Sequence, residues 1–449
     1  MAGTLTKRLR RVNFAAVALA AAGRLAAQDP AEVPPSGGAA PPRPAPGIAR
    51  ASVDERSLAA AVDELVACGT RHALSSWDDP KRGVGCARDR IVARYRRIAE
   101  NSGGRLEVFV DRFEASSPRT FDKPARLENV LAILPGTDPA LSRTAFIVAG
   151  HYDSMPTSVM DPAADAPGAD DDASGVAAAL EAARLLAPGR YRATLVFAAL
   201  CGEEQGLLGG TRLLAFLRER GLTVGGFLDN DIVGADPAPG GPHRVRVFSG
   251  GGPDGLDSPS RDLARAVEEI AGRDSVRLVF RLDRLGRGGD HAPFVEAGLP
   301  AVRLTEPLEN YAHEHQTPRV EDGREYGDLP KFLDLRFLGN VARVNAESLR
   351  ALALAPAPPR DVALTGGVTP DSHLSWSADA DPERAGFEIL WRETTDPRWS
   401  SCVFVGSAGE TVLKDVSTDN HFYAVRSVGS NGERSIAVAA EPRRPPPKK

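Results

Sequence analysis

Apolar residues recur at two spacings along this chain, and each spacing predicts one kind of secondary structure. Short apolar runs are typical of buried strands, whereas apolar residues three or four positions apart are typical of amphipathic helices. The helical spacing predicts a first helix that begins near a capping sequence at Ser52, and further helices over 84–98, 176–186, 207–220, 261–271 and about 328–353. The apolar runs predict strands over 106–113, 130–134, 145–149, 194–200, 226–232, 244–248 and 301–304.

Strands and helices follow one another in turn over most of residues 130–353. This order predicts a mostly parallel central sheet covered by helices on both faces, which is a three-layer α/β/α sandwich. In such sheets the loops at the carboxyl ends of the strands form the functional site. We therefore expect the reactive side chains in the loops that leave the strands.

The sequence changes character after Ala355, where a proline-rich boundary precedes strand-like alternation over residues 355–441. Turn residues separate these strands about every ten positions, which predicts a small C-terminal β-sandwich. The strand over 422–428 resembles part of a fibronectin type III module. Three tryptophans are expected either in the core of this module or as stacking surfaces for carbohydrate: Trp376, Trp391 and Trp399.

The N-terminus has the organisation of an export signal. Residues 1–28 contain basic residues, then an apolar run and then small residues, which predicts a cleaved signal peptide. The apolar run is too short to span a membrane, so we expect an exported protein, periplasmic or extracellular, with no membrane span. Residues 29–47 predict a linker rich in proline and alanine, and residues 442–449 a basic proline-rich tail. Between them lie a larger domain over 48–354 and the C-terminal module over 355–441.

Composition excludes several classes of protein. At 42% hydrophobic residues the chain is not disordered, and 55 Lys and Arg against 60 Asp and Glu give a net charge of −5, which offers no basis for binding nucleic acid. Four cysteines are too few for a disulfide scaffold. Cys68 and Cys86 can pair in an oxidising compartment, but their spacing alone does not decide whether they do.

Acidic residues and histidines cluster at five places beside predicted strand ends. These places are His151-Tyr152-Asp153, Asp170-Asp171-Asp172, Glu203-Glu204, Asp229-Asn230-Asp231 and His313-Glu314-His315. Together they supply the nitrogen and oxygen donors that suit Zn²⁺. A helix N-terminus can accommodate one or two adjacent aspartates, and a network of ion pairs would need basic residues, which are sparse in these loops. The five places taken together therefore predict a metal site.

The residues alone leave two choices open at this site. Asp229 and Asp231 lie on the same face of one predicted strand, so either aspartate can be the ligand. His313 and His315 are two positions apart in one loop, and either imidazole can reach a metal.

The five motifs resemble those of zinc aminopeptidases in metallopeptidase family twenty-eight, of the bacterial leucyl aminopeptidase-like kind. The similarity covers about residues 50–353 and rests on these segments: His151-Tyr152-Asp153-Ser154, Gly168-Ala169-Asp170-Asp171-Asp172-Ala173-Ser174-Gly175, Gly202-Glu203-Glu204, Asp231-Ile232-Val233-Gly234 and His315. The resemblance implies an α/β/α sandwich that holds two zinc ions. It implies that Asp171 bridges the ions and that the ligands are His151, Asp171, Glu204, Asp231 and His315.

The resemblance also implies roles for residues around the ligands. Glu203 is the implied general base, and Asp153 the residue that orients the ligand histidine. The peptide bond that follows the bridging aspartate is implied to be cis. Asp290 and His291 resemble a family element near the site, which we interpret as a support behind the ligands or a substrate contact. Tyr311 is a candidate for the specificity pocket.

The resemblance implies a secreted zinc-dependent exopeptidase that removes N-terminal residues from peptides or proteins. Two other interpretations remain: the same fold with a changed reaction, like that of a glutaminyl cyclase or a carboxypeptidase, and a non-catalytic binding protein. The complete ligand set and Glu203 favour the aminopeptidase. The C-terminal module is expected to bind carbohydrate or a protein surface.

Overall fold

The computed structural model describes residues 40–49, 52–236, 244–251, 257–285, 287–365 and 369–443. The predicted signal peptide, the first part of the predicted linker and most of the basic tail lie outside these residues. None of the helices within them is long and apolar enough to span a bilayer.

All but one of the α-helices in the described residues match a helix predicted from the periodicity of the sequence, and the short α6 was not predicted. They are α1 (Glu55–Val66), α2 (Val84–Glu100), α3 (Ala173–Leu186), α4 (Leu208–Glu219), α5 (Pro259–Ala271), α6 (Ala292–Glu296) and α7 (Leu335–Leu354). Helix α1 is capped by Asp54 rather than Ser52, because the Asp54 carboxylate accepts the backbone N–H groups of Arg56 and Ser57. Helix α7 begins later than predicted, because Pro330 opens a separate 3₁₀ turn before it.

The central sheet has the order β1-β2-β4-β3-β5-β8-β6-β7. Its strands are β1 (Glu107–Ala115), β2 (Ala125–Leu134), β3 (Thr144–His151), β4 (Thr194–Leu200), β5 (Thr223–Asn230), β6 (Val245–Phe248), β7 (Val276–Val279) and β8 (Ala301–Thr305). The middle strands β4, β3, β5 and β8 are parallel neighbours, whereas β1, β2 and β6 add antiparallel pairs. The predicted mixed α/β fold with a mostly parallel central sheet is confirmed.

Burial of the sheet on both faces explains its apolar sequence. Every residue of β4 is buried, and helices α1, α3 and α7 pack in the same apolar core as alternate residues of the middle strands. The opposite face of the sheet packs against α4 and α6. Fully buried parallel strands lose the alternation of polar residues that a half-exposed sheet shows, which is why short apolar runs identified them. A small hairpin of β9 (Arg319–Glu321) and β10 (Arg324–Tyr326) follows the sheet.

The C-terminal residues form two four-stranded sheets, β15-β12-β11-β18 and β14-β13-β16-β17. Their strands are β11 (Arg360–Thr365), β12 (Ser372–Ser377), β13 (Arg384–Glu393), β14 (Ser401–Phe404), β15 (Glu410–Leu413), β16 (His421–Gly429), β17 (Val438–Ala439) and β18 (Glu441–Pro442). Trp376 packs on Phe387 in the shared core, with ring centroids 5.4 Å apart. Trp399 lies beside the guanidinium groups of Arg265 and Arg392. These positions give both indoles packing roles.

Charged side chains connect the C-terminal sheets to helix α5. Arg398 forms an ion pair with Glu268 at 2.6 Å, and Arg426 forms one with Glu269 at 2.6 Å. Arg43, in the described end of the predicted linker, also contacts the C-terminal part. A Cβ on Gly432, whose φ is 81°, would lie 2.1 Å from the carbonyl carbon of Arg43, so only glycine permits this approach.

A disulfide settles the question that cysteine spacing left open. Cys68, which follows α1, is bonded to Cys86 of α2, and their Cα atoms are 6.0 Å apart. The bond joins the chain just after α1 to the first turn of α2, beside the segment that carries Arg71.

Candidate metal centre

The carboxyl ends of three parallel strands bring the predicted ligands together. His151 ends β3, the Gly202–Glu204 loop follows β4, and Asp231 directly follows β5. His151 is paired in register with Leu200, the last residue of β4. Strands in parallel register end at one edge of the sheet, so residues far apart in sequence meet there.

The donor atoms form two groups that share Asp171. In the first group, Nε2 of His151 lies 3.1 Å from Oδ1 of Asp171 and 3.8 Å from Oδ1 of Asp231. In the second, Nε2 of His315 lies 2.7 Å from Oδ2 of Asp171 and 3.0 Å from Oε1 of Glu204. Within each group the donor atoms lie within 4.8 Å of one another. The structure thus brings all five predicted ligands together around one carboxylate.

These donors fit a divalent cation. Oδ1 of Asp171 and Oε1 of Glu204 are buried and accept no hydrogen bond within the described part of the chain. A buried carboxylate oxygen without a donor is costly unless it is paired or coordinates a metal. Because imidazole nitrogen and carboxylate oxygen are zinc donors, each group is chemically suited to zinc.

The electrostatics of the two groups show how strongly their charges interact. Burial alone would lower the pKa of His151, but its contacts with acidic groups, including Asp171 and Asp231, raise it well above 6.5. Burial likewise lowers the pKa of His315, but Glu204 and Asp171 raise it to about 12. Both imidazoles are therefore held in a strongly negative environment, which also favours a metal cation.

The three adjacent aspartates divide their roles. Asp172 caps α3 by accepting the backbone N–H of Gly175 at 2.8 Å, and it accepts the N–H of His151 at 2.9 Å. Asp170 accepts the N–H of Gly234 at 2.6 Å. Only Asp171 belongs to the donor groups, and the Asp171–Asp172 peptide bond is cis, as predicted. The N-terminus of α3 therefore accommodates Asp172, whereas Asp171 belongs to both donor groups.

Asp153 holds the loop that follows β4. Its carboxylate accepts the backbone N–H groups of Gly202 at 2.8 Å and Glu204 at 3.1 Å. The Nδ1 atom of His151 bonds to the backbone oxygen of Asp153 at 3.1 Å, and the Asp153 carboxylate lies 3.7 Å from that nitrogen. Asp153 thus contacts His151 chiefly through its main chain and positions the Gly202–Glu204 loop through its side chain.

Glu203 lies outside both donor groups and next to the ligand Glu204. Although part of Glu203 is exposed, the protein packed around its carboxyl group raises its pKa well above 4.5. The negative charges of Asp231 and Glu204 act in the same direction, against the opposing effect of His151. A carboxylate with a raised pKa beside a metal site is suited to accept and return a proton.

The structure separates the residues that the sequence left as alternatives. His313 stacks on Phe332, with ring centroids 3.6 Å apart, and lies outside both donor groups. Asp229 accepts the backbone N–H of His291 at 3.0 Å rather than joining Asp231. Geometry therefore favours Asp231 and His315 as the ligands.

The three predicted substrate contacts occupy different surroundings. Asp290 is buried and accepts the N–H of Gly210 at 2.9 Å. His291 is buried, and its Nε2 bonds to the backbone oxygen of Leu282 at 2.8 Å. This burial favours support behind the site over direct contact with substrate. Tyr311, in contrast, is 64% exposed.

Known proteins share both the sequence and the fold of this chain. Residues 129–326, which include both donor groups, match Peptidase family M28. The chain is 41% identical over 423 residues to a "Probable zinc metalloprotease" of Leptosphaeria maculans, covering 88% of this chain and 97% of that protein. The chain belongs to peptidase family M28. A second "Probable zinc metalloprotease", from Pyricularia oryzae, is 42% identical over 420 residues, with 87% of this chain and 83% of the relative covered.

Solved structures share the fold of this M28 peptidase. The Legionella pneumophila LapA aminopeptidase matches with a TM-score of 0.51 and 19% identity, over 69% of this chain and 73% of that one. An aminopeptidase from Aneurinibacillus sp. strain AM-1 matches with a TM-score of 0.51 and 16% identity, over 69% of this chain and 96% of that one.

Sequence reasoning missed three charged residues that support the centre of this M28 peptidase. Asp328 accepts the backbone N–H groups of Asp170 and Asp171. Arg71 donates to the backbone oxygens of Tyr152 and Gly168 at 2.7 Å each. Arg303 contacts the carboxylate of Asp231 at 2.8 Å. The sequence signal for Arg303 was its charge inside the apolar run over 301–304, since a buried charge needs a partner.

Proposed function

We propose that this M28 peptidase is a secreted aminopeptidase that uses two zinc ions to remove N-terminal residues from peptides. The observation that carries the proposal is the pair of donor groups that share Asp171, with Glu203 beside them. A shared carboxylate is the arrangement expected where two cations act on one substrate.

Each ion has its own ligands in this proposal. His151 and Asp231 would hold one ion, Glu204 and His315 would hold the other, and Asp171 would be the ligand that the two ions share. When bound, the ions polarise the scissile carbonyl and lower the pKa of water. The remaining chemistry falls to the side chains of the chain itself.

Glu203 moves the proton. Its carboxylate accepts a proton from the attacking water and returns it to the nitrogen of the departing amine, so no charge is left on the leaving group. Asp153 fixes the position of Glu203 and Glu204, because it bonds the backbone of their loop. This arrangement assigns base catalysis and metal binding to adjacent side chains.

The preference for a free N-terminus rests on the family and on the names of the solved neighbours. LapA and the Aneurinibacillus enzyme are described as aminopeptidases. A free α-amine next to the scissile bond is the chemical group that distinguishes an aminopeptidase substrate from other peptides. Hydrolysis of a panel of aminoacyl amides would show which N-terminal residue is preferred.

The proposal also includes export and an accessory C-terminal module. Residues 1–28 are proposed to direct export, and the Cys68–Cys86 disulfide suits an oxidising compartment. We propose that residues 355–441 form a fibronectin type III-like module. Trp376 packs within the core of this module, and Trp399 contacts Arg265 of the peptidase part, so a carbohydrate partner would need another surface.

The test compares wild type with Glu203→Gln on a panel of aminoacyl chromogenic amides, with zinc content measured on both proteins. We expect about two zinc ions per chain in each, and a fall in kcat of roughly 10²–10⁴-fold in the variant, as expected for loss of a general base. Glu203→Asp is the matched variant, because it keeps the acid and shortens its reach.

Other outcomes would redirect the assignment. Two zinc ions without hydrolysis of any amide by wild type would contradict the aminopeptidase and point to a changed reaction, which cyclase and carboxypeptidase substrates would then identify. Fewer than two ions in wild type would contradict the shared metal centre. Turnover by Glu203→Gln equal to wild type would remove Glu203 as the base.

A further inference from the structure

A buried arginine contacts one of the proposed metal ligands. Arg303 lies within β8 and is fully buried, opposite Asp229 of β5 in the strand register. Its Nη2 atom lies 2.8 Å from Oδ2 of Asp231. The other oxygen of that carboxylate, Oδ1, faces His151 at 3.8 Å. The two oxygens of Asp231 therefore have different partners.

The other end of the same guanidinium is anchored. Nη1 of Arg303 lies 2.9 Å from each carboxylate oxygen of Asp283. Asp283 in turn accepts the backbone N–H of Arg284 at 2.6 Å. A planar guanidinium held by a second carboxylate has little freedom to rotate, so it fixes the direction in which it meets Asp231.

The second donor group has no such partner among the residues that the structure describes. Among the described residues, the Glu204 carboxylate pairs with the imidazole of His315, and no arginine or lysine side chain lies within 4.0 Å of it. The guanidinium of Arg119 donates instead to the backbone oxygen of Glu204, at 2.7 Å. The ion pairs that the shared Asp171 carboxylate forms with described residues are those with the two histidines. Among the described residues, a guanidinium thus pairs with the carboxylate of Asp231 in the first donor group, whereas none pairs with the carboxylate of Glu204 in the second.

We infer that Arg303 is a positioning residue that holds Asp231 as a one-oxygen ligand and so makes the two metal positions unequal. The inference rests on the proposed two-metal centre. Arg303 occupies Oδ2 and leaves Oδ1 for the ion beside His151. Arg303 does not contact Glu204 or His315, which would hold the other ion.

Two physical effects follow from this contact. Holding the Asp231 carboxylate in one orientation avoids the cost of ordering it when the ion binds. The guanidinium on Oδ2 would also disfavour binding of that ion through both oxygens of Asp231. Hydrogen-bond partners of metal ligands typically change affinity by roughly 10–100-fold when they are removed.

The test is Arg303→Lys, which keeps the charge but cannot bind two carboxylates in fixed geometry. Metal-free wild type and variant are titrated with Zn²⁺ against a competing chelator, and the melting temperature of each metal-free protein is measured. We expect affinity for one ion to fall by roughly 10–100-fold while affinity for the other stays within twofold. The Co²⁺-loaded variant should absorb more weakly in the visible region, because two-oxygen binding by Asp231 raises the coordination number.

Two further variants separate positioning from general loss of structure. Arg265→Lys is the matched control, because buried Arg265 also joins two aspartates, Asp257 at 2.6 Å and Asp262 at 2.8 Å, outside the metal groups. It should leave both zinc affinities and the Co²⁺ spectrum unchanged. Asp283→Asn removes the anchoring charge and should weaken the same ion as Arg303→Lys, by a smaller factor.

The outcomes distinguish this inference from the proposed function. Equal zinc affinities and identical Co²⁺ spectra in wild type and Arg303→Lys would overturn the inference while leaving the two-metal centre intact. Equal weakening of both ions would also overturn it. A wild type that binds fewer than two ions would instead contradict the proposed function.

Discussion

The carboxylate of Asp328 accepts the backbone N–H of Asp171 at 2.8 Å, although 157 positions separate the two residues. Its other oxygen accepts the N–H of Asp170 at 2.7 Å. Asp328 lies between the β9–β10 hairpin and α7, so a residue near the end of the peptidase part binds the backbone of Asp171. The orientation of Asp171 toward both histidines therefore depends on a residue outside the five motifs.

Replacing Asp328 should weaken the metal centre without touching a ligand. Asp328→Asn turns one acceptor into an N–H donor that faces a backbone N–H, so the segment around Asp171 loses a bond and gains a repulsive contact. We expect zinc affinity to fall by roughly 10–100-fold for both ions. Chelator competition measures this. Asp63→Asn, at an exposed aspartate of α1, is the control and should behave as wild type.

Replacing the shared ligand should affect both ions, whereas replacing an unshared ligand should affect one. Asp171→Asn removes a negative charge from both donor groups, so we expect loss of tight binding of both zinc ions. Glu204→Gln removes a donor from one group and should leave about one tightly bound ion per chain. Metal analysis after dialysis measures the difference. Retention of two tight ions by Asp171→Asn would show that Asp171 does not bridge.

Removal of the C-terminal sheets should destabilise the peptidase part. Glu268 of α5 is buried under Arg398, and Asp257 is paired with Arg392 at 2.7 Å. A chain that ends at residue 355 loses both arginines and exposes the covered face of α5. We expect its melting temperature to fall by several degrees, with the turnover of the remaining folded protein unchanged. An unchanged melting temperature would indicate that the C-terminal module is only a tether.

Acid should weaken the C-terminal sheets through Glu388. Burial opposes ionisation of Glu388, but Arg434 and Arg426 hold its pKa below 4.5. The ionised pair therefore stabilises the folded state above about pH 4.5, and this contribution is lost as the pH falls below that value. The metal-free protein should lose stability steeply there, and Glu388→Gln should be less stable at pH 7 with a flatter acid dependence. Urea unfolding at several pH values measures both slopes.

The sequence by itself determined most elements of the fold and the residue types that meet at the site. Helices and strands followed from apolar spacing, because burial in a covered sheet demands apolar runs and an amphipathic helix demands one apolar face. The donor residues could be predicted because histidine and carboxylate clusters at strand ends are rarely compatible with a purely structural role. The family, and with it zinc chemistry, could be predicted from five short motifs.

Only the tertiary structure decided which side chains meet. Spacing could not distinguish His315 from His313, or Asp231 from Asp229, because members of each pair lie two positions apart and share a local environment in sequence. His313 stacks on Phe332 and lies outside the donor groups, and Asp229 accepts the backbone N–H of His291. Arg303 and Asp328 were invisible as supports, since their partners lie on other strands and loops. Long-range contacts of this kind arise when the sheet assembles, and no local pattern records them.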